Sequence, residues 1–148
     1  MVKIRIVRRG HEAVDLVKLA VCAIILTHGI HRYLYGEIQP LGQFLAQTGF
    51  PAPLAEAHLV NLAETGGVLL IALGLLVRPL CSVLVLIFLI GIALIHWQAG
   101  FFIVGPGEGG WEFSALLIAC LTAVAIDYQP RRLQPNKSFK PNPLRGSA

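Results

Sequence analysis

The sequence predicts an all-α integral membrane protein, a four-helix bundle with a short amphipathic interfacial helix between spans one and two. Three observations predict this. Of 148 residues, 55% are hydrophobic and only 14% are charged, with a mean hydropathy of +0.70; a soluble domain carries about a quarter charged residues. A water-soluble globule of this length cannot hide so much apolar surface, and so apolar a chain does not stay disordered. The apolar residues also form four continuous runs rather than alternating, which argues against a β-barrel. Finally, the basic residues that give the net charge of +4 sit mainly in the two tails, a distribution that reports membrane topology rather than nucleic-acid binding.

A spanning helix needs about 20 largely apolar residues. The first run extends from about Ala13 to Tyr35, the second from Ala57 to Val77, the third from Pro79 to Gln98 and the fourth from Trp111 to Tyr128. Arg78 and Pro79 alone join the second and third into a tight antiparallel hairpin, with Pro79 at a first helical position where its missing N–H is no loss. Lys3, Arg5, Arg8 and Arg9 precede span one, and Arg131, Arg132, Lys137, Lys140 and Arg145 follow span four. With Arg78 they place both termini in the cytoplasm by the positive-inside rule. The chain thus divides into a basic tail (residues 1–12), the bundle (13–128) and a basic Pro-rich tail (129–148). The N-terminus has the basic-then-apolar order of a signal peptide, but no small-x-small site follows, so span one is read as uncleaved.

In the outer loop, Leu41, Phe44, Leu45 and Thr48 follow Pro40 at helical spacing and end at Gly49, the pattern of a short amphipathic helix with a Pro start and a Gly stop. Cys22, Cys81 and Cys120 include no Cys-x-x-Cys pair and are read as small packing residues. Gly105-Pro106-Gly107-Glu108-Gly109-Gly110 lacks the Lys-Ser/Thr of a phosphate loop and is read as a turn.

The chemistry lies in polar groups placed where hydrocarbon should be, which in membrane helices usually face the bundle interior. Span one carries His28, His31, Arg32 and Tyr35 within an arc of about 100°. Span two carries His58, Asn61, Glu64 and Thr65 as a polar stripe, span three ends near His96, and span four opens with Trp111 and Glu112. Glu64 and His28 each lie about 9–10 Å inside the outer end of their helices at 1.5 Å per residue. Each helix therefore sends an acid or imidazole into the outer third of the membrane.

Three ligand chemistries suit this layer. His28, His31, Glu64 and His96 are possible metal ligands, although the Glu-x-x-His pair of di-iron bundles is absent; two of the histidines are a possible haem ligand set. A quinone or quinol pocket is favoured over both, because a quinol gives up protons and Glu64, Glu112, His28 and His96 are suited to handle them. His31, Arg32, His58, Asn61 and Trp111 would line such a pocket. A small solute or ion transporter would also bury ionisable groups, but no inverted repeat is visible. A non-catalytic scaffold or assembly subunit, in which the polar layer only locks helices together, is the competing class.

Gly29-x-x-Arg32, Thr48-Gly49-Phe50-Pro51-Ala52-Pro53, Glu64-x-x-Gly67-x-x-Leu70-x-x-Leu73-Gly74-x-x-x-Arg78 and Gly109-Gly110-Trp111-Glu112 give the chain its pattern. In these it resembles the DoxX family of small four-span bacterial membrane proteins, which usually carry lysine where Arg32 stands. The resemblance implies an inner-membrane bundle serving as the membrane subunit of a redox- or stress-related complex with a protein partner. Some relatives are named as subunits of a thiosulfate:quinone oxidoreductase or a quinol oxidase. The positions matching the family's motifs are Gly29, Arg32, Glu64, Gly67, Gly74, Arg78 and Glu112. Gly29, Gly66, Gly67 and Gly74 are expected to let helices approach closely in lipid.

Overall fold

A computed structural model describes residues 10–103 and 109–128. Residues 1–9, 104–108 and 129–148 lie outside the described residues, and with them most of both basic tails and most of the Gly-rich segment expected to turn. Those that are described form six α-helices and no strand: α1 (Gly10–Leu34), α2 (Ile38–Gln47), α3 (Pro53–Leu62), α4 (Val68–Ala72), α5 (Val77–Gly91) and α6 (Glu112–Asp127). A π turn (Ala63–Gly67) joins α3 to α4, and a second π turn (Ile92–His96) with a 3₁₀ turn (Trp97–Ala99) extends α5. The protein is an all-α membrane bundle. Among the described residues, three helical stretches are long and apolar enough to cross a bilayer: Glu12–Leu34, Pro53–Ala72 and Val77–Ala99. The fourth expected span, α6, has 16 residues, about 24 Å of helix against about 30 Å of hydrocarbon.

The second span departs from the expected unbroken helix over 57–77. The Thr65 hydroxyl turns back to the Asn61 carbonyl at 2.8 Å, and Gly66 and Gly67 follow. Back-bonding threonine bends a helix, and two glycines hold the regular α pitch weakly. Their combination accounts for the widened turn. The hairpin connection also differs: α4 stops at Ala72, and Gly74 follows its C-cap with a φ of +77°, a left-handed cap in which the Leu75 N–H returns to the Leu70 carbonyl at 2.8 Å. Gly74 is therefore a chain-reversal residue and not part of a helix-packing face with Gly66. Helix α5 starts at Val77, so Pro79 sits at its third position, still within the first turn, where an N–H has no intrahelical partner. In the same way α2 begins two residues before Pro40, at Ile38.

Helix α1 packs on α4, α6 and the first π turn, α5 packs on α6, and α2 lies on α3. Ile25, Ile71, Leu84 and Leu121, one from each of α1, α4, α5 and α6, are almost wholly buried in a single core. Lipid tails are as apolar as leucine, so this core is held by close packing rather than by escape from water. The outward leucines, such as Leu16, Leu73 and Leu86, are exposed to that lipid. A smaller cluster of Ile38, Leu45 and Ala57 fastens α2 to α3.

At the α4–α5 end, α6 is tied back to the hairpin. The Arg78 Nε donates to the Ala125 carbonyl at 3.2 Å, and the Tyr128 hydroxyl donates to the Gly74 carbonyl. Arginine beside the last carbonyls of a helix is favoured by its dipole. Tyr128→Phe removes one hydrogen bond and leaves the Gly74 carbonyl unpaired, and is expected to lower stability by about 0.5–1.5 kcal/mol in micellar unfolding.

Candidate functional site

A cavity of about 380 Å³ opens above the core, where α3 replaces α4 as the neighbour of α1. Ile25 and Leu117, which belong to the core, form its floor. Leu41 and Phe44 of α2 cover it from one side, and Phe88, Gly91 and Leu94 line it from α5 and the second π turn. Four ionisable side chains reach this mainly apolar space: His28 and Arg32 from α1, Glu64 from the first π turn and His96 from the end of the second. Both interruptions of regular helix thus border one cavity, and π turns recur where side chains are re-aimed for function.

The centre of the polar end is the Arg32–Glu64 ion pair, in which Nη1 donates to Oε2. The Glu64 side chain is 5% exposed and that of Arg32 21%. Arg32 lies in the last turn of α1, where free carbonyls favour a cation. Gly29, one turn earlier, makes the pair possible. A Cβ there would stand 2.7 Å from Thr65 Cγ2 and 3.2 Å from the Glu64 backbone, so only glycine lets α1 lie this close to the π turn. The spacing Gly29-x-x-Arg32 therefore has a physical reading: approach first, then pair. Gly67 has milder surroundings, 3.7 Å from a Leu80 methyl, and Gly66 would meet a Leu62 methyl at 3.3 Å.

His28 packs its ring against Phe113, with centroids 6.3 Å apart. His96 is fixed from the opposite wall, its Nδ1 2.8 Å from the Gly109 carbonyl. That carbonyl is presented by a tight loop return. Gly109 takes φ +96°, and Gly110 passes so close beneath the Phe101 and Phe102 carbonyls that a Cβ would stand 2.2 Å from the latter. Trp111 N–H and Glu112 N–H then bond to the Gly100 and Phe101 carbonyls at 3.1 and 2.9 Å. Glu112 Oε1 accepts the Ile103 N–H at 2.9 Å. The carboxylate of Glu112 thus closes the loop and does not line the cavity.

The remaining expected site residues lie elsewhere. His31 is exposed, 3.3 Å from Glu37 Oε2, and stacks on Tyr35 at 4.3 Å. The arc of polar residues on α1 is split, since the cavity takes only the His28–Arg32 edge. His58 and Asn61 line a separate groove with Tyr33 and Thr65 on the other side of α3. Trp111 stacks on Trp97 at 6.2 Å and meets the edge of Phe101 at 4.6 Å, forming an aromatic cluster beside the loop. The proposed metal set of His28, His31, Glu64 and His96 does not converge: among the described residues no three His, Cys, Asp or Glu side chains are grouped for a metal ion. Ser114 of α6, which the sequence did not single out, lines the cavity. A lone serine in an apolar run carries no signal of its own.

Fold and site together define a small membrane protein with a polar-ended cavity in one half of its bundle. A family model, DoxX, matches residues 13–97, more than half of the chain. The chain belongs to the DoxX family. The match runs from α1 through the Glu64 and His96 turns and stops before α6. No curated protein and no solved structure matches the chain.

Proposed function

We propose that the protein is the membrane subunit of a redox-linked complex in a bacterial inner membrane, and that its cavity holds the ring of a quinone or quinol. Four spans with both termini in the cytoplasm belong to this reading and put the cavity on the outer side. The observation that carries it is the buried Arg32–Glu64 pair at the edge of an otherwise apolar cavity, with His28 and His96 beside it. The volume lies within the range of about 300–1,000 Å³ typical of small-molecule sites, which combine apolar walls with a few placed polar groups. A quinone ring has that character, with an apolar body and two oxygens. Arg32 supplies donors, Glu64 and the imidazoles supply acceptors, and a proton leaving such a ring has groups within the site to receive it.

The test is to purify the protein from its native membrane in mild detergent and measure extracted quinone and co-purifying proteins. Quinone is expected to accompany the wild type, and Ser114→Phe, which fills the cavity while keeping all four ionisable residues, is expected to reduce it about tenfold or more. Equal quinone in both, or none in either, rejects the reading. One observation favours a scaffold as the second reading: Glu112 is tied to Ile103 and the His96 Nδ1 to Gly109, contacts that hold neighbouring segments together. A wild type free of quinone, whose Ser114→Phe variant changes only in stability, would support the scaffold.

A further inference from the structure

We propose that His96 makes the cavity selective for the hydroxyl-bearing, reduced form of its ring ligand. The inference rests on the cavity reading above and adds the redox form that binds. His96 Nδ1 lies 2.8 Å from the Gly109 carbonyl oxygen. A carbonyl oxygen only accepts, so Nδ1 must carry the hydrogen of that bond. In the neutral ring the other nitrogen, Nε2, is then a bare acceptor, the tautomer being set by the partner of Nδ1. No described residue donates to Nε2, and His96 borders the cavity. A ligand placed against it is asked for a hydrogen. A ring hydroxyl supplies one, whereas a quinone carbonyl would set lone pair against lone pair.

The rest of the polar inventory agrees. Glu64 offers carboxylate lone pairs, while Arg32 has only donors and suits a ring oxygen in either form. Ser114 both donates and accepts, and so expresses no preference. His96 is thus the cavity histidine whose hydrogen-bonding role is fixed by a backbone partner, the Gly109 carbonyl of the cavity wall. The loop that fixes it depends on two glycines: Gly109 at φ +96°, whose carbonyl holds the ring, and Gly110, which permits the close return. No electron transfer is part of the inference; it concerns binding alone.

The experiment measures affinities of purified protein for a decyl-tailed, fully ring-substituted para-benzoquinone and for the same compound kept reduced. The oxidised form is followed by quenching of Trp97 and Trp111 emission, and the reduced form by competition. The wild type is expected to hold the quinol about tenfold tighter, the scale of one hydrogen bond made in one form and lost in the other. His96→Phe is expected to lower the ratio several-fold, to what the Glu64 carboxylate alone supports, through loss of quinol affinity, and His96→Gln, which keeps an acceptor, to restore part of the preference. Equal binding of the two forms by the wild type, or a ratio unchanged in His96→Phe, overturns the inference and leaves the cavity reading intact. Failure of both forms to bind overturns the cavity reading and the inference with it. If His96→Phe does not fold, His96→Gln carries the comparison, and a wild type that binds both forms equally overturns the inference without any variant.

Discussion

Arg32→Met is expected to destabilise the bundle by about 3–5 kcal/mol, because removing one member of a buried ion pair strands the other. The Glu64 side chain is 5% exposed, and the Arg32 guanidinium satisfies it. Without Arg32 the carboxylate stays charged in a low dielectric or takes up a proton, and either outcome costs free energy. Glu64→Leu is expected to cost less. Arg32 is 21% exposed at the end of α1, so a freed guanidinium can turn toward headgroups and water. The double variant Arg32→Met, Glu64→Leu is expected to recover most of the loss, since apolar replacement of a whole buried pair is often neutral. Chemical unfolding of the four proteins in mixed micelles gives the coupling. Additive losses would show that the pair shares no energy and that Arg32 acts by packing alone. The double variant also separates stability from binding: it should fold well and, on the proposed quinone reading, lose most bound quinone, because the central ion pair of the polar end is gone.

The parts that were legible in the sequence are those that depend on local composition. Apolar runs of spanning length mark α1, the α3–α4 stretch and α5 because the bilayer requires them of any spanning helix. Arg32 and Glu64 were each readable as pocket residues because ionisable groups in membrane helices usually face the bundle interior. The π turns were not readable. Each widens the helix, so the fixed 100° step used to place side chains fails beyond Ala63 and Ile92. His58 and Asn61 lie before the first of them and miss the Glu64 pocket because a stripe at i, i+3 and i+6 already spreads over about 120°. His31 was misplaced for a different reason: an arc of 100° on α1 is wider than the cavity it borders, and Glu37 offered a nearer partner. The Glu112 carboxylate looked like part of the proton-handling layer, yet its partner is the Ile103 N–H across a loop that no periodicity describes. Gly74 was assigned to a helix face because helix ends are among the least certain features of a sequence, and here α4 stops at Ala72.

Gly110→Ala is expected to cost about 3 kcal/mol or more, at or beyond the upper end of ordinary overpacking, because the obstructing atoms are backbone. An added Cβ would stand 2.2 Å from the Phe102 carbonyl oxygen and 2.5 Å from that of Phe101. Neither can rotate away, so the return of residues 109–112 must lift off residues 100–103, which follow the 3₁₀ turn. Lifting it breaks the Trp111–Gly100 and Glu112–Phe101 backbone bonds and draws Glu112 from the Ile103 N–H. It also carries off the Gly109 carbonyl that orients His96. The same substitution at Gly91 serves as the control. No atom lies within 4 Å of a Cβ built there, and alanine in an open helical position is expected to stabilise by about 0.5–1 kcal/mol. Opposite signs for the two variants in micellar unfolding are therefore the expected result. A stability loss at Gly110 below that of an exposed substitution would mean that the loop adjusts freely. The tight return could then not fix the His96 ring, and the structural basis for its selectivity would fall with it.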